Sequence, residues 1–382
     1  MNTSPAYSLA QLTHYFLRLG TFGFGGPPAL VGAMHRDLVM TRGWVTEDDY
    51  REGLALAQLA PGPLAAQLAI YLGYVHYGVL GATIAGVTFV LPSFLMVLAL
   101  GWAYVRFGGL PWMQAIFYGI GAAVIGIIAV GTYRLTRKTV AADALSWGLF
   151  ALSALATVIT QSELLWLVLL AGVIYWLVKA PPAFVSSGRT SFFVPVWADW
   201  LPATDSVLWQ LAVFFAKAGA FVFGSGLAIV PFLYGGVVKE YGWLTEQQFL
   251  DAVAVAMITP GPVVITVAFI GYLVAGFAGA CVAALATFLP CYVLTIVPAP
   301  YFKRYGRRPG IKAFVDGVTL AAVGSVAGAV LVLAQRQLID VPALLIALAT
   351  IGLLIRFKQL SELSLIGASA IIGLLLRYAH QV

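Results

Sequence analysis

Apolar residues run along this 382-residue chain in long stretches separated by short polar clusters, rather than alternating or recurring on one helical face. Charge-free runs of the roughly 20 residues that a bilayer helix needs include Tyr77 to Val105, Phe107 to Tyr133 and Met257 to Phe302, with Ala144 to Ser162 close to that length. Alternation in segments of about 10 residues, the mark of an outer-membrane barrel, is missing. The pattern predicts an all-α polytopic membrane protein. Ordinary spans are expected in the first half near residues 78–104, 111–133, 142–160 and 163–179. Two earlier segments, 8–40 and 46–77, are interrupted by GFGGP and by PGP.

The pattern is written twice. Adding 199 carries Phe24-Gly25 onto Phe223-Gly224, Gly43-Trp44 onto Gly242-Trp243, Thr46-Glu47 onto Thr245-Glu246, and Pro61-Gly62-Pro63 onto Pro260-Gly261-Pro262. After one deletion the offset is 198, and Gly73-Tyr74 meets Gly271-Tyr272, Pro92 meets Pro290, and Gly126 meets Gly324. Residues 1–180 and 208–382 read as two repeats joined by a Pro/Ser-rich linker, 181–207.

Basic residues then orient the halves. The loop with Arg134, Arg137 and Lys138 follows one holding only Arg106; in the second half the order reverses, with Lys303, Arg304, Arg307, Arg308 and Lys312 before Arg336. Positive loops face the cytoplasm, so equivalent loops fall on opposite sides. Inverted-topology repeats with broken or re-entrant helices are a secondary-transporter architecture. Inversion needs an odd number of crossings per half. The expectation is that one of the two interrupted segments crosses as a broken helix while the other dips in and returns.

A proline or glycine break in hydrocarbon leaves backbone groups without water, so it persists where protein or a cavity surrounds it. It also starts a new helix, whose free N–H groups favour an anion. Gly25, Gly26, Pro27, Gly62 and Pro63 in the first half, and Gly224, Ser225, Gly226, Gly261 and Pro262 in the second, are candidate substrate-binding positions, with Gln67 and Thr266 completing the hydrogen bonding. Arg18 and its counterpart Lys217 place a cation before each first break, where a membrane-buried charge is by default functional. Glu52 and Asp251, each nine residues before its PGP, are candidates for proton coupling or for balancing those cations. Glu47 and Glu246, after Gly-Trp-x-Thr, read as first-turn helix residues.

Composition removes other classes. The chain is 61% hydrophobic and 9% charged, leaving no soluble domain, and its net charge of +6 sits in loops beside apolar segments, as the positive-inside bias requires rather than nucleic-acid binding. Cys281 and Cys291 have no CxxC or histidine neighbour, so neither a disulfide framework nor a metal site is expected. No P-loop occurs, no cofactor is called for, and the chain is expected not to be an enzyme. The N-terminus lacks a basic region and cleavage site, so no removable signal peptide is expected. A channel remains the other reading of a polar midplane site.

FGFGGP after an Arg-bearing helix, RGWVTEDDY, LAQLAPGPLAAQLAIYLGY and their degenerate second copies resemble the chromate ion transporter family in its long, two-domain form. The resemblance covers essentially the whole chain. It implies export of chromate, a tetrahedral oxyanion analogous to sulfate, across the inner membrane, and hence chromate resistance. Transport of another oxyanion such as sulfate is the alternative. It implies a multi-pass protein in the lipid bilayer, with room for a homodimer. The family motifs fall on Arg18, Gly25, Gly26, Pro27, Pro61, Gly62 and Pro63. Ser225 and Gly226 depart from them, so one asymmetric site lined by both halves is expected.

Overall fold

The computed structural model describes residues 7–24, 26–108, 110–140, 142–161, 164–181, 206–221, 229–305, 308–357 and 360–380. The first half contains α1 (Leu9–Phe22), α2 (Gly26–Met34), α3 (Glu47–Leu59), α4 (Leu64–Phe107), α5 (Pro111–Thr139), α6 (Ala144–Thr160) and α7 (Leu165–Lys179). The second contains α8 (Val207–Phe221), α9 (Ile229–Leu233), α10 (Glu246–Ile258), α11 (Thr266–Ile296), α12 (Ala299–Tyr305), α13 (Pro309–Gln337), α14 (Val341–Arg356) and α15 (Glu362–His380). A π-helical turn continues α2 over His35–Thr41 and α9 over Tyr234–Glu240. No strand occurs among the described residues, and the long apolar helices make this a multi-pass membrane protein.

The helix starts follow from local chemistry. Thr46 and Thr245 accept the N–H of Asp49 and Gln248 at the starts of α3 and α10, and Asp143 and Asp340 cap α6 and α14 in the same way. Pro111 and Pro309 open α5 and α13, where their missing N–H costs nothing.

Three reversals shape the first half. Tyr7 stacks on Trp44 at 4.9 Å and the Arg42 guanidinium lies over the Tyr15 ring, so the chain after GFGGP returns alongside α1. Gly53 of α3 lies against the Tyr71 ring, which closes a second hairpin about PGP. The third reversal is inside α4 at Gly78, matched by Gly276 in α11, with φ,ψ of 58°, −147° and 59°, −149°. Only glycine adopts that backbone readily, and beyond it Gly73 packs on Gly81, as Gly271 does on Gly279. Both interrupted segments of the first half fold back on themselves.

Beyond Gly78, residues 79–107 make about 43 Å of helix, followed by α5, α6 and α7. Offset-related helices run antiparallel. Gly101 of α4 abuts Tyr272 of α11 while Thr83 bonds Tyr292 at 2.5 Å, and Gly121 near the start of α5 meets Gln337 at the end of α13. Lys179 closes α7 beside Asp143, at 3.1 Å, on the face where α6 begins. Lys239 and Glu246 instead gather with Arg336 and Gln161 on the opposite face. The two sets of hairpins thus enter from opposite sides.

The halves are interlocked. α6 and α7 pack on α13, where Gly324 and Gly328 meet the Phe150 and Ala154 carbonyls; α14 and α15 pack on α5, through Gly126 against Ala347 and Gly119 against Ser369. Small residues permit this backbone approach, which supplies the van der Waals packing that lipid cannot.

Candidate functional site

The breaks meet in the interior. The Gly261 N–H donates to the Gly23 carbonyl at 2.9 Å, so the end of α1 joins the second PGP turn. Gly20, one turn earlier, lies on the Phe89 backbone, and Gly219 lies on Thr287 at the equivalent place. Gly62 and Gly261 have φ of 135° and 91°. Gly62 approaches Cys291 of α11, and Gly261 approaches Ser93 of α4. Position 291 is position 93 in the other repeat, so each PGP turn rests on the same point of the opposite half.

The two turns are closed differently. Pro61 carbonyl accepts from Gln67 Nε2 at 2.7 Å, within the first half. Its counterpart Pro260 accepts from the Ser93 hydroxyl at 2.7 Å, across the halves. Thr266, the counterpart of Gln67, donates to Val263 instead. Gln67 is fully buried. The first turn leads directly into α4 with Pro63 as its cap, while the second passes through a short 3-10 turn, Val263–Ile265, before α11. Gly26 and Pro27 open α2 as expected; Gly25, Gly224, Ser225 and Gly226 lie outside the described residues.

Arg18 and Lys217 are not brought together. Each lines a cavity of about 610 Å³ beside its own first hairpin. Arg18 shares its cavity with Arg36 and Arg42 and with Gly23 and Phe24 of the break, whereas Lys217 faces Lys239, Glu240 and Tyr241. Arg36 is paired with Asp37 at 3.0 Å, and Arg42 lies over the Trp44 ring at 4.5 Å. The first cavity is a cationic vestibule that ends at the break. Sequence reasoning missed Arg36 and Arg42 because neither has a basic counterpart at the offset.

The acids differ as well. Glu52 is half-buried and faces the Tyr71 hydroxyl within its own half. Asp251 is 4% exposed and accepts from Tyr104 of the first half at 2.7 Å and from Gln247 at 2.9 Å. The counterparts of Tyr71 and Tyr104 are Phe269 and Phe302, so the first half supplies both tyrosines and the second has phenylalanine at each equivalent place. Glu47 and Glu246 sit in first turns, paired with His35 and Arg51 and with Lys239 and Arg336 respectively. Among the described residues no cluster of histidine, cysteine and acids forms a metal site.

Comparison with known proteins agrees with this layout. The sequence pattern of the chromate transporter family matches residues 10–176 and again 209–374, one copy per half. The chain is 64% identical over 382 residues to the chromate transport protein of Cupriavidus metallidurans, covering 98% of this chain and 94% of that one. It is 60% identical to a probable chromate transport protein of Synechococcus elongatus, covering 98% and 97%, and 30% identical to the chromate transport protein of Pseudomonas aeruginosa, covering 90% and 86%. No solved structure matches.

Proposed function

Because the chain belongs to the chromate transporter family, we propose that it is a secondary transporter carrying chromate, a tetrahedral oxyanion, outward across the inner membrane and so confers resistance. The observation that carries this reading is the contact of Gly23 with Gly261 at the inner end of the Arg18 vestibule. There, helix ends from both halves converge where an anion arriving past Arg18, Arg36 and Arg42 would stop, and N–H groups freed at the breaks favour negative charge. Gly25, Gly26, Pro27, Gly62, Pro63 and Gln67 from one half, with Gly224, Ser225, Gly226, Gly261, Pro262 and Thr266 from the other, form the binding region in this account. Lys217 serves the opposite entrance. The antiparallel course of α4 and α11 and of α5 and α13 supports two inverted repeats, 1–180 and 208–382, with the linker 181–207 between them.

Export of a dianion from a negative-inside cell is favoured by about 2.3 kcal/mol per charge per 100 mV, so no ATP hydrolysis and no catalytic chemistry are required. The test is uptake of labelled chromate into proteoliposomes preloaded with chromate, sulfate, molybdate or phosphate. Chromate inside is expected to accelerate uptake and sulfate to do so less strongly. Uptake that neither saturates nor responds to internal anion would instead indicate a channel.

A further inference from the structure

The second half contains a buried acid that the oxyanion pathway does not use. Asp251 lines a cavity of about 610 Å³ together with Tyr104, Gln114, Tyr118, Gln247, Asp340 and Arg377. That cavity lies where α4 ends, α5 and α14 begin and α15 finishes, on the face opposite the basic loop of Arg134, Arg137 and Lys138. By the positive-inside bias this is the outer face.

The ionisable groups around Asp251 are few. Tyr104, from α4, donates to it, with its ring set edge-on between Phe117 of α5 and Phe269 of α11. Tyr118 of α5 donates to Asp340, which also caps α14, so that second carboxylate is committed to holding a helix start. Arg377 of α15 lines the cavity but makes no ion pair with Asp251 among the described residues. Glu47, Asp143 and Glu246, by contrast, each have a basic partner. A carboxylate kept out of water without a cation is costly, and taking up a proton removes that cost.

We propose that Asp251 is a proton-exchange site, loaded from the outer face through this cavity, that couples inward proton movement to outward oxyanion movement. The inference rests on the transporter reading. The proton comes from water in the cavity onto a carboxylate oxygen and returns to water on release, so no other reactant is needed. Tyr104 links the site to α4, the helix whose Ser93 closes the second PGP turn. Protonation at Asp251 and the binding region are thereby joined through one rigid element.

The experiment uses the full chain in proteoliposomes loaded with chromate and an internal pH dye, the voltage clamped with potassium and valinomycin. An outward chromate gradient is expected to drive proton entry in the wild type, and Asp251→Asn is expected to reduce it to background. Tyr104→Phe removes a donor to the charged form. It is expected to move the pH midpoint of proton-driven chromate flux upward by about one unit, which keeps the proposal testable if Asp251→Asn does not fold. Chromate efflux from the wild type without proton entry overturns the proposal, as does an unchanged midpoint in Tyr104→Phe. Failure of the wild type to exchange chromate at all would instead defeat the transporter reading itself.

Discussion

The two PGP hairpins are the same structure held in two different ways. The hairpin of α3 with residues 64–77 closes on itself: Gln67 binds the Pro61 carbonyl, and Glu52 faces Tyr71. The hairpin of α10 with α11 is held from outside, by Ser93 on Pro260 and Tyr104 on Asp251, both from α4. Their surroundings differ accordingly. In α10 every residue from Phe249 to Ala256 is buried, whereas α3 buries only Tyr50, Gly53, Leu56 and Ala57. A duplicated scaffold thus has one hairpin hydrogen-bonded to the opposite half and one closed by its own side chains. That division gives the asymmetry a mechanical meaning: conformational change is expected at the first hairpin, around an anchor made by the second.

Substitutions can break that contrast in graded steps. The largest effect is expected from Gly261→Ala. The new methyl group would collide with the Ser93 hydroxyl at a φ of 91°, costing about 3 kcal/mol. Gly62→Ala meets only the ends of the Gln67 and Cys291 side chains, and a cost of about half as much is expected from the same terms. Thermal unfolding in detergent would rank the two, and equal losses would remove the distinction. Next comes Tyr104→Phe, which strips a hydrogen bond from a buried carboxylate and is expected to cost about 2 kcal/mol, against less than about 1 kcal/mol for Tyr71→Phe beside the half-buried Glu52. Ser93→Ala is expected to cost about 1 kcal/mol. Its sharper signature is faster hydrogen exchange at α10 with α3 unchanged, and a change confined to α3 would reverse the assignment of anchor and mover.

Much of this was legible in the sequence. The offset of 199 matched Thr46-Glu47 with Thr245-Glu246, and both threonines cap helices. Apolar run length located the spans because bilayer thickness fixes it. What stayed hidden depends on backbone sign or on distance along the chain. Gly78 and Gly276 are two of 40 glycines, and nothing in their neighbours announces a positive φ, so the reversals inside α4 and α11 could not be seen. Tyr104 with Asp251 and Ser93 with Pro260 are contacts across 147 and 167 residues. Periodicity carries no information about either. Arg18 and Lys217 are matched by offset, but pairing by offset says nothing about direction, and they line separate cavities.

The central claim is that an oxyanion passes from the Arg18 vestibule to the contact between the two breaks. Chromate counterflow in proteoliposomes tests it most directly, comparing the wild type with Arg18→Gln. The account predicts saturable exchange in the wild type and a KM for chromate raised about tenfold in the variant, the loss of one charge-assisted contact. An Arg18→Gln protein that exchanges chromate with an unchanged KM would contradict it.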